Sequence, residues 1–185
     1  MQSSDVNNAV SNPQSLTRLI IVMGVSGSGK STLAKALAER NHYVYLDGDD
    51  FHSDESKAMM AKGIPLTDVQ RAPWVESIKK QLEENNLKGA HTVLAFSGLK
   101  KKHRDLLRSA GLRTIFLFLD SDKSVIQTRL DNRENHFMAP NLLDSQYISL
   151  ENTASETDIY PINVAKSREE VVAHAQQILE AKLLQ

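Results

Sequence analysis

Short apolar runs alternate with amphipathic stretches along most of the chain. Leu19-Ile20-Ile21-Val22-Met23 is apolar on both faces and predicts a buried strand. From Lys30 to Arg40, Leu33, Ala34, Leu37 and Ala38 recur at helical spacing and form one face. Tyr43-Val44-Tyr45-Leu46 predicts a second strand, followed by a helical stretch from about Asp50 to Ala61. Gly63 and Pro65 mark a loop, and Pro73 is expected to open a helix running to about Leu87, since proline suits a first turn. Thr92 to Phe96 predicts a third strand, Leu99 to Ser109 a basic helix, and Thr114 to Leu119 a fourth strand. Ser121 to Arg133 reads as helical, Glu134 to Pro140 as irregular, and Leu142 to Leu150 as a short helix. Ile159 to Val164 is a weak fifth strand, which Pro161 assigns to an edge. Ser167 and Glu170 form a capping box that starts the last helix. Strands alternating with helices predict an α/β fold, with a parallel sheet covered on both faces.

Composition narrows the classes. The chain has 185 residues, 41% apolar and 24% charged, which is ordinary for a globular domain and argues against disorder. A net charge of -1 disfavours a nucleic-acid partner, which would call for a basic surface. The absence of cysteine excludes disulfides, thiolate metal sites and cysteine nucleophiles, and it fits a reducing compartment. Met1 to Thr17 is rich in Ser, Asn and Gln, without the basic start and apolar run of a secretory signal. It is expected to be a loose tail ahead of a single domain over 18–185. No apolar run approaches the ~20 residues of a membrane span, so a soluble, cytoplasmic protein is expected.

Gly24-Val25-Ser26-Gly27-Ser28-Gly29-Lys30-Ser31 matches G-x-x-x-x-G-K-[ST] in full, follows a strand and opens a helix. Glycines let the backbone curl until its N–H groups converge on phosphate oxygens, and the helix that follows points its positive end at the same anion. The run Gly24 to Thr32 is therefore expected to bind ATP, with Lys30 on the β- and γ-phosphates and Ser31 on magnesium.

Asp47, Asp49 and Asp50 close the second strand, and ligands of such sheets sit beyond the carboxyl ends of strands. One acid can order magnesium and another can accept the proton of a substrate hydroxyl. An Asp-Gly turn with a helix cap at Asp49 or Asp50 is the other reading. Lys100, Lys101, Lys102 and Arg104 crowd a helix start, where cations oppose the macrodipole. That conflict marks a functional site, or else the run is a solvated face. Arg129 and Arg133 share a helix face and lead into the irregular stretch, as lid arginines closing over ATP would, or as cations favourable at a helix end. Trp74, Met59 and Met60 read as core, and spacing decides nothing for His52 or His136.

These pieces together resemble the thermoresistant-type gluconate kinases over nearly the whole chain. They are the glycine loop, Asp47-Gly48-Asp49 with His52, Gly63 with Pro65-Leu66, Asp68, and Arg71 with Pro73-Trp74. Ser97 with Leu99-Lys100-Lys101, Arg104 to Arg108, His136-Phe137, Ser145-Gln146 and Leu150-Glu151 complete the set. The resemblance implies a five-stranded parallel sheet like that of nucleoside-monophosphate and shikimate kinases, a substrate region over about 50–88 and a mobile lid over about 129–142. It implies ATP-dependent phosphorylation of D-gluconate to 6-phosphogluconate by a homodimer. By position, Asp49 would be the base and Asp47 would help Ser31 with magnesium. His52, Arg71, Lys100, Arg104 and His136 would bind substrate, Arg129 and Arg133 would act from the lid, and Val164 to Lys166 would hold adenine. The chain departs from the family pattern at Ser53, Ser56, Met59, Gln70, His103 and Asn135. A kinase for another sugar acid or polyol, or a non-catalytic ATP-binding regulator, are the alternatives.

Overall fold

A computed structural model describes residues 16–132 and 140–184 of the chain. Among these residues five strands form one sheet: β1 (Arg18–Met23), β2 (Val44–Asp47), β3 (Thr92–Ala95), β4 (Arg113–Asp120) and β5 (Ile159–Asn163). The order is β2-β3-β1-β4-β5 and every pairing is parallel. The helices are α1 (Lys30–Asn41), α2 (Asp54–Ala61), α3 (Asp68–Leu87), α4 (Lys101–Arg108), α5 (Lys123–Asp131), α6 (Pro140–Ser149) and α7 (Arg168–Lys182), with a 3₁₀ turn at Gly48–Phe51.

Alternation along the central strand builds two core layers. Ile20 and Val22 pack with Leu33, Leu37 and Leu179 under α1 and α7. Leu19, Ile21 and Met23 pack with Val75, Ile78, Leu82 and Leu107 under α3 and α4. Leu19 to Met23 of β1 are wholly buried, which is why that run carries no polar position. A third cluster, Val25, Leu99, Ile126, Leu130 and Leu143, sits at the carboxyl end of the sheet and joins the glycine loop to α5 and α6.

The strand order places the edges at β2 and β5, as Pro161 requires. Asp158 O accepts the Phe116 N–H, so residues 160 and 162 also face β4 and Pro161 faces outward. Ser167 caps α7 with the expected capping box.

Several helix starts differ from the sequence reading. Pro73 does not open α3, because Thr67 and Gln70 form a capping box that starts the helix at Asp68, five residues before it. Pro73 then removes only the bond to the carbonyl of Val69, a residue 82% exposed, where water can replace the donor. The stretch from Asp50 to Ala61 is two elements. Asp47, rather than Asp49 or Asp50, caps the 3₁₀ turn, and Ser53 caps α2. Segments after β3 and β4 also start late, α4 at Lys101 and α5 at Lys123.

Candidate active site

The glycine loop leaves the carboxyl end of β1 and feeds α1. Gly27 and Gly29 hold φ of 80° and 100°, which a side chain would oppose. At Gly27 a Cβ would also lie 2.8 Å from Leu130 Cδ2. Gly24 N–H donates to Ser97 O at 3.1 Å, tying the loop to the end of β3. Ser28 Oγ donates to Val25 O at 2.7 Å, and Lys30 Nζ reaches the same carbonyl at 3.0 Å. Lys30 thus lies folded over its own loop.

Asp47 organises the oxygen groups beside the loop. Its Oδ2 accepts from Ser31 Oγ at 2.9 Å and from Tyr45 Oη at 2.8 Å, and its Oδ1 accepts the Asp49 N–H at 3.0 Å. Burial, with the bond to Asp47 next, pushes the Tyr45 hydroxyl up to about 12, so it stays a donor to Asp47. Asp49 itself is turned to solvent, its side chain 88% exposed, with the His52 ring 4.0 Å away. His52 is buried and stacks on Trp74 at 4.1 Å between ring centroids. Trp74 Nε1 donates to Gly48 O at 2.7 Å, so one indole fixes both the 3₁₀ turn and the histidine. Burial first, then Lys57 and Arg71, holds the His52 imidazole below its ordinary range against the opposing pull of Asp49. His52 is neutral near pH 7, and Nδ1 is the one buried side-chain nitrogen or oxygen without a hydrogen-bond partner among the described residues.

The starts of α3 and α4 meet across Asp68. Lys102 Nζ donates to it at 2.8 Å and Arg71 lies 3.8 Å away. These two cations, with Lys100, hold the Asp68 carboxyl below its usual range, the Lys102 hydrogen bond contributing most. Lys100 Nζ sits 3.7 Å from Glu151.

A family model described as an AAA domain matches residues 19–148. The thermoresistant gluconokinase of Escherichia coli is 34% identical over 163 residues, covering 88% of this chain and 93% of that protein. The probable gluconokinase of Dictyostelium discoideum is 41% identical over 164 residues, covering 83% of this chain and 82% of that protein. A crystal structure of a gluconokinase from Sinorhizobium meliloti superimposes with a TM-score of 0.82 at 36% identity, covering 90% of this chain and 93% of that one. The chain belongs to the gluconokinase family.

Within this gluconokinase-family fold, the glycine loop, Ser31, Asp47, Asp49, His52, Arg71 and Lys100 gather at the carboxyl end of the sheet. Arg104 does not join them as a binding surface. It is fully buried, with Nε and Nη2 on Glu156 at 3.1 and 2.5 Å and Nη1 on Gly98 O at 2.6 Å, so no substrate reaches it in this arrangement. Arg129 donates to the carbonyl of Val164, the first residue of the loop assigned to adenine. Arg133 and His136 lie outside the described residues.

The sequence reading gave no site role to three contributors. Tyr45 is two residues from Asp47 on one strand, so the spacing was there to read. Trp74 serves core and site together. Gln146 Oε1 accepts the Ser26 N–H of the glycine loop at 2.6 Å across 120 residues of sequence, and no local pattern announces it.

Proposed function

We propose that the protein transfers the γ-phosphate of ATP to the 6-hydroxyl of D-gluconate, giving 6-phospho-D-gluconate and ADP. The observation that carries this reading is the meeting of the glycine loop with Ser31, Asp47 and Asp49 beyond β1 and β2. Relatives named gluconokinase support the acceptor.

The amides from Gly24 to Thr32 cradle the phosphates and Lys30 swings from Val25 O onto the β- and γ-oxygens. Ser31 and Asp47 fit a magnesium ion, since they are hard oxygen donors already in contact, and magnesium takes its other ligands from water and phosphate. When bound, that ion neutralises charge on the transferring group. Asp49 accepts the hydroxyl proton as the acceptor oxygen bonds to phosphorus and the bond to ADP breaks. His52, Arg71, Lys100 and His136 hold the acceptor, the cations answering its carboxylate. Arg129 and Arg133, at the start of a lid over 129–142, stabilise the charge that gathers in the transition state. Arg104, bonded to Gly98 O, Leu99 O and Glu156, braces the turn before α4. Residues 50–88 form the acceptor region of a single domain over 18–185. The reading includes a cytoplasmic homodimer: the location follows from the expectations drawn on the sequence, with which a cysteine-free chain is compatible, and the dimer from the family resemblance.

A related sugar acid is the second reading. Ser53, Ser56 and Gln70, three of the departures from the family pattern, line one cavity of about 430 Å³ between α2 and α3. The test is ADP release with ATP, magnesium and a panel of sugar acids headed by D-gluconate. Lys30→Ala is expected to lower gluconate-dependent turnover by at least about 10²-fold. Turnover on another acid alone would move the specificity to that cavity, and no turnover with ATP still bound would sink the transfer reading.

A further inference from the structure

The end of α6 touches both halves of the site. Gln146 Oε1 takes the Ser26 N–H of the glycine loop at 2.6 Å. Five residues on, Glu151 Oε2 takes the Lys101 N–H, the first amide of α4, at 2.5 Å, and Oε1 lies 3.7 Å from Lys100 Nζ. Glu151 N–H donates in turn to Leu99 O at 2.9 Å. Glu151 therefore brings to α4 the negative charge that its own first turn lacks, and this is how the basic helix start is tolerated.

Around these two contacts α6 is tied down along its length. Leu143 is wholly buried against Val25, Leu99, Ile126 and Leu130, and Tyr147 and Leu150 pack on the same cluster. Tyr147 Oη donates to Ser121 O at 2.9 Å, and Asp144 pairs with Lys123 of α5. A side chain that moves the glycine loop must therefore move α6, and α6 cannot move without disturbing the start of α4.

We propose that Gln146 and Glu151 are positioning residues at the two ends of one strut, which sets the nucleotide loop against the acceptor cations and couples the binding of the two substrates. The inference rests on the reading of the glycine loop as the ATP site and of Lys100 as part of the acceptor site. Neither residue reacts. Their effect is geometric, and phosphoryl transfer depends on holding donor and acceptor in line.

The test is a crossed one. Gln146→Leu touches only the loop side, yet it is expected to raise the KM for gluconate by about fivefold as well as that for ATP. Glu151→Leu touches only the α4 side, yet it is expected to raise the KM for ATP by about fivefold. Glu151→Gln keeps an acceptor for the Lys101 N–H and should leave the ATP constant close to wild type. Gln146→Met, of similar length and without an acceptor, stands in if the leucine variant folds poorly, and urea midpoints separate folding from binding. Constants that change only on the side each residue touches would overturn the strut. So would a lower gluconate KM in Glu151→Leu, which would make Glu151 a competitor of the acceptor carboxylate. Wild type without gluconate turnover would instead fail the functional reading, and the crossed effect would then be sought in ATP-analogue affinity of Glu151→Leu by calorimetry; no change there would also overturn the strut.

Discussion

At Gly27 the backbone holds φ at 80° while Leu130 Cδ2 stands 2.8 Å from where a Cβ would be; at Gly29 φ is 100° and nothing lies within 4 Å. The two positions separate backbone strain from packing. Gly29→Ala should cost about 1–2 kcal/mol for the left-handed conformation alone. Gly27→Ala should cost about 1–3 kcal/mol more, because the added methyl must push Leu130 out of its cluster with Ile126 and Val25. Urea midpoints of the two variants check this, and equal losses would refute it. The same scale shows what a motif conveys. The string Gly24 to Ser31 dictates its own backbone, so the phosphate loop was legible from sequence. The bond from Ser26 N–H to Gln146 was not, because its partner is named only by tertiary packing.

The element with the most charge at stake is α4. Arg104 is wholly buried, and the Glu156 carboxylate that satisfies it also takes Arg108 Nη2 at 2.7 Å. Glu156→Gln leaves a buried guanidinium underpaired and should cost about 3–5 kcal/mol in urea denaturation. Glu156→Leu combined with Arg104→Met should lose less than Glu156→Leu alone, since removing both charges also removes their desolvation. The sequence showed Arg104 and Arg108 but not their partners Glu156 and Asp158, which arrive from a loop some 50 residues later. The family resemblance assigned Arg104 to substrate, and in this fold its guanidinium is taken up by Glu156 and Gly98 O. Helix α3 teaches a different lesson. Thr67 and Gln70 spell a capping box, and the weight given to Pro73 concealed it.

Across the whole molecule, three histidines, His52 and His103 buried and His91 half-buried, share one pH response. His52, His91 and His103 are each held below the ordinary range, burial being the largest cause in all three. His91 Nδ1 accepts the Arg18 N–H at 3.0 Å, a bond that only the unprotonated nitrogen can make. As pH falls below about 6.5, the unfolded chain binds protons that the folded chain refuses, so stability present above that pH is lost on acidification. Thermal melting should show Tm falling between pH 7 and pH 5, about 2–4 °C for each kcal/mol lost in a chain of this size. His91→Gln should flatten the slope. Glu156 and Asp105 add a separate loss below the ordinary carboxylate range, because hydrogen bonds from Arg104 and from Lys101 hold their carboxyls low. The architecture that carries these groups was the most legible level of all. Strand and helix periods fixed the parallel sheet, and only the helix starts and the long-range partners needed the fold.

Trp74 is the sole tryptophan of the chain, and its ring lies against His52. An indole emits strongly unless a protonated imidazole beside it drains the excited state. The molecule therefore carries its own optical probe, needing no label: its emission should dim as His52 takes up a proton, and on the proposed reading it should shift when a sugar acid is added.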